Sequence, residues 1–257
     1  MKPTRVILTS NFNPTYYHFW NPMSKIYKEK FGIIPTLIWL GTKKEAKEAG
    51  ISSEYGEIRY VKPNPDYHLP WQTTWVSFWS TQFYPDDVCI MMGIDQVPLS
   101  RMFFDMAKDV PETDYAMLIA DAYRPNYWTT TASPSAYHMA KGSTYMKVFD
   151  FDKDFKKEAT KVYNSGIMGF HETTEGRWGV DENYSCAKLR EGKVNVVAFD
   201  KFNLLVERRI ECERHKEPAY DKARLNQGWY SEGHLCRPFT NHTEYLTKLF
   251  NDIPSWL

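Results

Sequence analysis

Short runs of apolar residues alternate along the chain with longer stretches in which apolar residues recur at helical spacing. Runs that end in polar or turn-forming residues indicate buried strands, and the periodic stretches between them indicate helices. The predicted strands cover residues 6–10, 36–40, 57–61, 87–92, 115–120, 167–170 and 194–199. The predicted helices cover residues 16–31, 43–49, 71–83, 100–108, 154–163, 181–190 and 243–250. Residues 121–147 suggest loops with one or two strands, and residues 208–237 are charged and irregular.

The order of these elements predicts the fold class. Alternating strands and helices favour an α/β fold with an open, mixed but mostly parallel sheet flanked by helices. The sequence contains no internal repeat and no low-complexity linker. A single domain over residues 1–257 is therefore the simplest organisation. Ligands of such sheets bind beyond the carboxyl ends of the strands.

Composition and charge exclude several classes of protein. The 257 residues include 32 Lys and Arg against 32 Asp and Glu, whereas an electrostatic nucleic-acid binder would show a basic excess. The aromatic content of 16% argues against a disordered chain. No apolar stretch approaches the roughly 18 residues of a membrane span, and residues 6–8 are too few for the apolar region of a signal peptide. The four cysteines form no C-x-x-C pair, so we expect no zinc site and a cytoplasmic protein with reduced thiols.

Several catalytic motifs are missing. The sequence contains no G-x-G-x-x-G, no G-x-x-x-x-G-K-[ST] and no G-x-S-x-G. Dinucleotide oxidoreductases, P-loop phosphotransferases and α/β hydrolases are therefore disfavoured. Residues 171–175, His-Glu-Thr-Thr-Glu, begin like the zinc motif H-E-x-x-H but lack its second histidine, so a metal would lose a ligand one helical turn away.

Asp95 directly follows a strongly apolar predicted strand. A carboxylate there would point into the ligand crevice of an α/β sheet. Carboxylates are preferred ligands of Mg²⁺ and Mn²⁺, which bridge diphosphates. The alternative is that Asp95 caps the turn before Pro98. Its position alone does not separate the two interpretations.

Four segments carry a resemblance to a known family. Residues 94–99 read Ile-Asp-Gln-Val-Pro-Leu, 163–170 Tyr-Asn-Ser-Gly-Ile-Met-Gly-Phe, 178–183 Trp-Gly-Val-Asp-Glu-Asn, and 234–239 His-Leu-Cys-Arg-Pro-Phe. In this order they resemble the D-x-D, N-S-G-V-M, W-x-x-D-[EQ] and H…K-P-W segments of glycosyltransferases with the GT-A fold. The chain also resembles small glycosyltransferases of large DNA viruses and bacteria that lack a membrane anchor. Two departures stand out: Gly93 replaces the first aspartate of D-x-D, and Arg237 replaces the lysine.

The resemblance implies roles for individual residues. Asp181 would be the general base for the acceptor hydroxyl, with Glu182 as the second candidate, and Asp95 and His234 would bind Mn²⁺ or Mg²⁺. The donor nucleotide sugar would contact Thr9, Ser10, Asn11, Asp95, Gln96, Val97, Asn164, Ser165, Gly166, Trp178 and Arg237. Arginine suits a diphosphate because its guanidinium binds oxygens in pairs.

Each role has an ordinary structural alternative. Asp181 could only cap a helix, and Asn164 could form a plain Asx turn before a core strand. Trp178 could pack in the core, His234 could be a surface residue, and residues 9–11 could be a simple strand-to-helix turn.

Taken together, the resemblance implies a metal-dependent hexosyl- or pentosyltransferase. It would move a sugar from a nucleotide-sugar donor, preferably UDP-linked, to a hydroxyl of a glycan or other acceptor. Residues 1–100 would form the nucleotide-binding half and residues 101–257 the acceptor-binding half. A catalytically inactive sugar-nucleotide or carbohydrate-binding protein is the alternative, because Gly93 removes a carboxylate. A sugar nucleotidyltransferase ranks third, because residues 11–14, Asn-Phe-Asn-Pro, lack the Gly-rich basic loop of such enzymes.

Overall fold

The structure is a computed structural model. It describes residues 1–120, 132, 134–167, 179–199, 209–212 and 216–256. The strands are β1 Arg5–Ser10, β2 Ile34–Leu40, β3 Glu57–Val61, β4 Val88–Met91, β5 Gln96–Pro98, β6 Tyr115–Met117, β7 His138–Lys141, β8 Val196–Ala198, β9 Ile210–Glu211 and β10 Glu232–His234. The helices are α1 Trp20–Ile26, α2 Lys43–Glu48, α3 Leu69–Ser80, α4 Met102–Asp105, α5 Gly142–Phe149, α6 Phe155–Tyr163, α7 Val180–Arg190, α8 Lys222–Asn226 and α9 Thr243–Asp252.

Seven strands form the main sheet in the order β3-β2-β1-β4-β7-β6-β8. The pairs β2–β3, β1–β2, β1–β4 and β6–β8 are parallel, whereas β7 runs antiparallel to both of its neighbours. The expected open, mixed and mostly parallel α/β sheet flanked by helices is therefore confirmed.

An apolar core covers each face of this sheet. Alternate residues of β1 enter opposite cores: Val6 and Leu8 join the core that contains α1, and Ile7 joins the core that contains α3. This burial on both faces is typical of a central parallel strand, and it explains the continuous apolar run. Trp71 and Trp75 of α3 are fully enclosed in the second core, which fixes the helix beside the carboxyl end of β1.

A second, three-stranded sheet has the order β5-β10-β9. Strand β10 is antiparallel to β5, with His234 opposite Gln96, and parallel to β9, with His234 opposite Glu211. The backbone N–H of Leu235 donates to the carbonyl oxygen of Asp95 at 2.8 Å. These pairings bring residues separated by more than a hundred positions to the end of β4.

Several elements differ from the sequence prediction. The predicted helix 16–31 is divided into a 3₁₀ turn, α1 and a closing π turn, and it ends at Gly32 with a φ of 66°. The predicted helix 100–108 shortens to α4. Strand β7 and helix α5 occupy a region expected to be mostly loop, and α5 begins where a Cβ on Gly142 would lie 2.1 Å from the Tyr84 carbonyl oxygen. The predicted strand 167–170 lies outside the described residues after Ile167, which is itself not in a strand.

The cysteines correct one expectation. Cys212 and Cys236 form a disulfide, so the prediction that all four thiols are reduced is wrong for this pair. The pairing of β9 with β10 explains why, because the two residues lie just beyond the in-register pair Glu211 and His234. Cys89 and Cys186 are free and buried. Within the part of the chain that the structure describes, none of the helices has the length and apolarity needed to cross a membrane.

Candidate functional site

A cavity of about 840 Å³ opens where β1 and β4 end. Pockets for small ligands and cofactors are of this size, and the carboxyl edge of a parallel sheet is their usual place. Eight of the residues that the sequence singled out line it: Thr9, Ser10, Asn11, Asp95, Gln96, Glu182, His234 and Arg237. They come from four separate stretches of the chain, near the ends of β1, β4 and β10 and at the start of α7.

Other predicted contacts lie elsewhere. Val97 is fully buried in β5 and faces the core instead of the cavity. Asn164, Ser165 and Gly166 are exposed at the end of α6, where the Ser165 hydroxyl donates to the carbonyl oxygen of Val162 at 2.6 Å. These three residues form a helix end and are not among the residues that line this cavity, and their role at a sugar pocket stays a prediction. Trp178 lies outside the described residues.

Asp95 is the centre of an ionic cluster at the cavity wall. It is only 7% exposed, and its Oδ2 atom lies 3.4 Å from Nε2 of His234 and 3.3 Å from Nε of Arg237. Burial alone would raise the pKa of Asp95, but hydrogen bonding and charge from His234, with the charge of Arg237, lower it. The carboxylate is therefore ionised and tightly paired. We call Asp95, His234 and Arg237 the ionic cluster.

Two further residues hold the cationic members of the ionic cluster. Nδ1 of His234 lies 2.7 Å from Oε1 of Glu211, and a guanidinium nitrogen of Arg237 donates to the Tyr16 hydroxyl at 3.0 Å. Burial would lower the pKa of His234, but its bonds to Asp95 and Glu211 raise it to about 9. Glu211 and Tyr16 could not be predicted from the sequence, because each is distant in the chain from its partner and neither lies in a recognisable motif.

Gly93 has a steric role at the position of the missing aspartate. A Cβ there would lie 2.8 Å from Oε1 of Gln96 and 3.0 Å from Oδ1 of Asp95. The Gln96 carboxamide occupies this space: it accepts from the Gly93 N–H at 2.8 Å and donates to the Tyr137 hydroxyl at 2.9 Å. The Tyr137 hydroxyl in turn donates to buried Glu232 at 2.8 Å. Gln96 is thus held where a second carboxylate was expected.

Tyr137 adopts a backbone conformation that bulky residues rarely take. Its φ is 73°, in the left-handed region that costs free energy for residues other than glycine. Its backbone N–H donates to the carbonyl oxygen of Met91 at 2.8 Å. This bond to the end of β4 keeps the hydroxyl beside Gln96.

Two carboxyl groups begin α7. Glu182 lines the cavity, and its Oε1 accepts from the Ser135 N–H at 3.3 Å. Asp181 is 1% exposed, and its Oδ2 has no hydrogen-bond partner among the described residues. Burial raises the pKa of Asp181 to about 6, against a hydrogen bond from Ser135 that lowers it. Asp181 therefore sits behind the cavity wall as a carboxylate that is more basic than an ordinary aspartate.

Helix α3 contributes a wall of hydroxyl groups. Thr73, Thr74 and Ser77 line the cavity, and each donates its proton to a carbonyl oxygen of its own helix at 2.7 to 3.0 Å. Since each hydroxyl proton is already used, these hydroxyl groups can only accept further hydrogen bonds. Asn11 already donates to Thr73 at 3.0 Å. The wall therefore suits a ligand that presents hydroxyl or N–H donors.

A divalent cation fits the chemistry of the ionic cluster. One carboxylate oxygen and one imidazole nitrogen converge there, a donor pair that Mn²⁺ and Mg²⁺ accept once the proton has left Nε2 of His234. Within the described residues, no three side chains of Asp, Glu, His and Cys gather as a ligand set. Asp95 and His234 would therefore be its two protein ligands, and the remaining positions would fall to ligand oxygens or water.

Comparison with known proteins gives structural likenesses only. A scan against family models and a search of curated proteins gave no match. Among solved structures, the chain is similar to the glycosyltransferase GlyE of Streptococcus pneumoniae TIGR4, with 10% identity, a TM-score of 0.47, and coverage of 100% of this chain and 66% of that one. The apo form of GlyE is 8% identical with a TM-score of 0.45, and the match covers 98% of this chain and 63% of that one. The bifunctional glycosyltransferase WbbM is 10% identical with a TM-score of 0.42, and the match covers 98% of this chain and 50% of that one. The chain thus spans half to two thirds of the length of these structures.

Proposed function

We propose that this chain is a glycosyltransferase that moves a sugar from a nucleotide-sugar donor, preferably UDP-linked, to a hydroxyl of a glycan or another acceptor. One observation carries the proposal. A single cavity at the carboxyl edge of the sheet joins an ionic cluster suited to a diphosphate, a wall of hydroxyl acceptors, and the carboxyl group of Glu182 at a helix start, with buried Asp181 behind the wall. Glycosyl transfer needs these three kinds of group together.

The ionic cluster would bind the leaving group. Negative charge grows on the diphosphate as its bond to the sugar breaks, and preorganised positive groups stabilise that change. Arg237 would pair with diphosphate oxygens through its fork of N–H donors. Tyr16 holds this guanidinium at 3.0 Å, so little ordering remains to be done when the donor binds.

Mn²⁺ or Mg²⁺, held by Asp95 and His234, is part of the proposal. When bound, such a cation supplies positive charge that neutralises the leaving diphosphate. The protein's own contribution is to keep the two ligands together: Asp95 is fixed by the Leu235 N–H on its carbonyl oxygen, and His234 by its place in β10 between β5 and β9.

A carboxylate at the start of α7 would activate the acceptor. The acceptor hydroxyl would attack the sugar carbon while its proton passes to Oδ2 of Asp181, the oxygen without a partner among the described residues. A pKa of about 6 leaves Asp181 ionised at neutral pH and more basic than usual, as a general base requires. Glu182, which lines the cavity, is the second candidate.

A panel of nucleotides tests the donor site. UDP, GDP, CDP and their sugars are added with and without Mn²⁺, and the unfolding temperature is followed. A ligand at about 100 times its dissociation constant stabilises a fold by about 2.7 kcal/mol. The expected result is a shift that needs both a nucleoside diphosphate and Mn²⁺ and is largest for UDP. No shift with any nucleotide would overturn the proposal.

The chain offers a matched control for this experiment. His234 and His242 each place Nδ1 near a glutamate oxygen, at 2.7 Å from Glu211 and 2.8 Å from Glu217, but only His234 lines the cavity among the described residues. His234→Ala should abolish the shift and His242→Ala should keep it.

Gly93 favours one alternative function, a sugar-nucleotide-binding protein without turnover. In this structure the side chains of Gln96 and Asp95 occupy the space beside Gly93 that a second carboxylate would need. Incubation with UDP-sugars separates the two functions, because a transferase releases UDP by transfer or by slow transfer to water. Mn²⁺-dependent binding with no UDP release from any sugar donor would favour the alternative.

A further inference from the structure

Glu211 is the side chain that contacts the ring of His234 on the side away from Asp95. Its Oε1 lies 2.7 Å from Nδ1 of His234, and Nε2 of the same ring lies 3.4 Å from Asp95. The two ring nitrogens therefore have separate partners. With Nδ1 occupied, Nε2 is the nitrogen that faces the cavity wall.

The backbone fixes this contact. Glu211 and His234 are in-register partners on the parallel strands β9 and β10, so their side chains project from the sheet at the same level. The Cys212 N–H donates to the carbonyl oxygen of His234 at 3.1 Å. The bond between Cys212 and Cys236 then ties the two strands immediately beyond the pair.

A second contact orients the carboxylate itself. Oε2 of Glu211 lies 3.0 Å from Nε of Arg209, and the same nitrogen lies 3.0 Å from Oε1 of Glu232. Glu232 is 1% exposed, so Arg209 is anchored by a buried partner. Each oxygen of Glu211 thus lies within ion-pair distance of a basic side chain, His234 or Arg209.

We infer that Glu211 is a positioning residue that fixes the ring orientation of His234, so that Nε2 faces the donor diphosphate and its cation. The inference rests on the proposed function for what Nε2 faces. Carboxylates that hold the second nitrogen of a ligand histidine set its orientation and basicity, and their loss commonly costs 10- to 100-fold in metal affinity or activity.

The pair His242 and Glu217 provides the control. It has the same chemistry at 2.8 Å, and neither of its residues is among the described residues that line the cavity. Glu211→Ala and Glu217→Ala therefore remove the same type of contact, one at the site and one outside it. Glu211→Gln keeps a carbonyl oxygen that accepts from Nδ1–H and serves as the rescuing variant.

Two measurements on full-length protein test the inference. The ring nitrogens of His234 are followed by ¹⁵N NMR without ligand, and the dissociation constants of Mn²⁺ and of UDP with Mn²⁺ are measured by calorimetry. Glu211→Ala should change the Nδ1 and Nε2 signals of His234 and weaken Mn²⁺-dependent UDP binding 10- to 100-fold. Glu211→Gln should restore binding to within a few-fold of wild type, and Glu217→Ala should leave His234 and binding unchanged.

The outcomes separate this inference from the proposed function. Unchanged His234 signals or unchanged binding in Glu211→Ala would overturn the inference and leave the donor site standing. No Mn²⁺-dependent nucleotide binding in the wild type would overturn both. If Glu211→Ala does not fold, Glu211→Met, which keeps the chain length without an acceptor, takes its place with the same expected results.

Discussion

Asp181 and Glu182 are neighbours in the chain but lie in different surroundings. Asp181 is 1% exposed with a pKa raised to about 6, and Glu182 lines the cavity. General base catalysis contributes typically 10²- to 10⁴-fold. Asp181→Asn is therefore expected to lower the transfer rate at least 100-fold, and Glu182→Gln less than tenfold. Single-turnover product formation at saturating donor measures both.

The pair of variants also decides the assignment. If both variants bind the donor equally well, as measured by the nucleotide-dependent thermal shift, the difference in transfer rate reflects the chemical step and not donor binding. A larger loss in Glu182→Gln would move the base to the residue that lines the cavity.

The raised pKa of Asp181 has a consequence for stability. Burial is its main cause, and it raises the value from 3.8 to about 6. The folded state therefore binds this proton more tightly than the unfolded state. The stability contributed by the protonated group is full below about pH 4 and is lost as pH rises through about 6.

Asp181→Asn stays neutral at every pH, so it should be more stable than wild type at pH 8, by up to about 3 kcal/mol. The difference should shrink to nearly zero at pH 4. Urea unfolding at pH 4, 6 and 8 measures it, and a variant less stable than wild type at pH 8 would contradict the sign. If Asp181→Asn is more stable than wild type but transfers sugar more slowly, the Asp181 carboxyl group serves catalysis at the expense of stability.

At the scale of elements, the disulfide holds the small sheet that carries the ionic cluster. Cys212 follows Glu211, and Cys236 lies between His234 and Arg237, with a separation of 24 residues between the cysteines. Closing a loop of that length lowers the conformational entropy of the unfolded chain and stabilises the fold by about 3–4 kcal/mol. The Cys212→Ser/Cys236→Ser protein should therefore unfold at a lower temperature and bind UDP with Mn²⁺ more weakly.

Wild type treated with a dithiol reductant should match the double variant, because reduction breaks the same bond. The double variant should not respond to the reductant. An unfolding temperature that reductant leaves unchanged in wild type would show that the bond adds nothing to the small sheet.

Elements with a strong local pattern could be predicted from the sequence. The apolar runs gave β1, β2 and β4, and the helical periods gave α3, α6 and α7. Asp95, His234 and Arg237 also meet at one cavity wall as the family resemblance implied, although their functions stay predictions. For Asp95 its position after a buried strand carried this part, because ligands of α/β sheets bind beyond the carboxyl ends of the strands.

Features that depend on contacts distant in the chain could not be predicted. Glu211 belongs to a stretch that reads as irregular, and only the pairing of β9 with β10 makes it the partner of His234. The disulfide follows from the same pairing. The position of Asn164, Ser165 and Gly166 outside the cavity lining has a local cause: their motif is short, and these residues end α6.

At the scale of the whole molecule, the two predicted halves share their structure. Strand β5, from residues 1–100, pairs with β10 from the C-terminal part. The core on one face of the main sheet includes Val6 and Leu249, and the core on the other includes Ile7 and Leu189. Neither half could bury these surfaces alone.

The chain is therefore expected to unfold in one cooperative transition. At about 0.7 kcal/mol per residue near 60 °C, the 257 residues should absorb on the order of 180 kcal/mol. Scanning calorimetry measures this, and the calorimetric and van't Hoff enthalpies should agree. UDP with Mn²⁺ should move the whole transition, because the cavity draws its lining from both halves. Two separate transitions, of which only one moved with nucleotide, would instead mean that residues 1–100 bind the donor as an independent unit, and that the pairing of β5 with β10 is too weak to couple them.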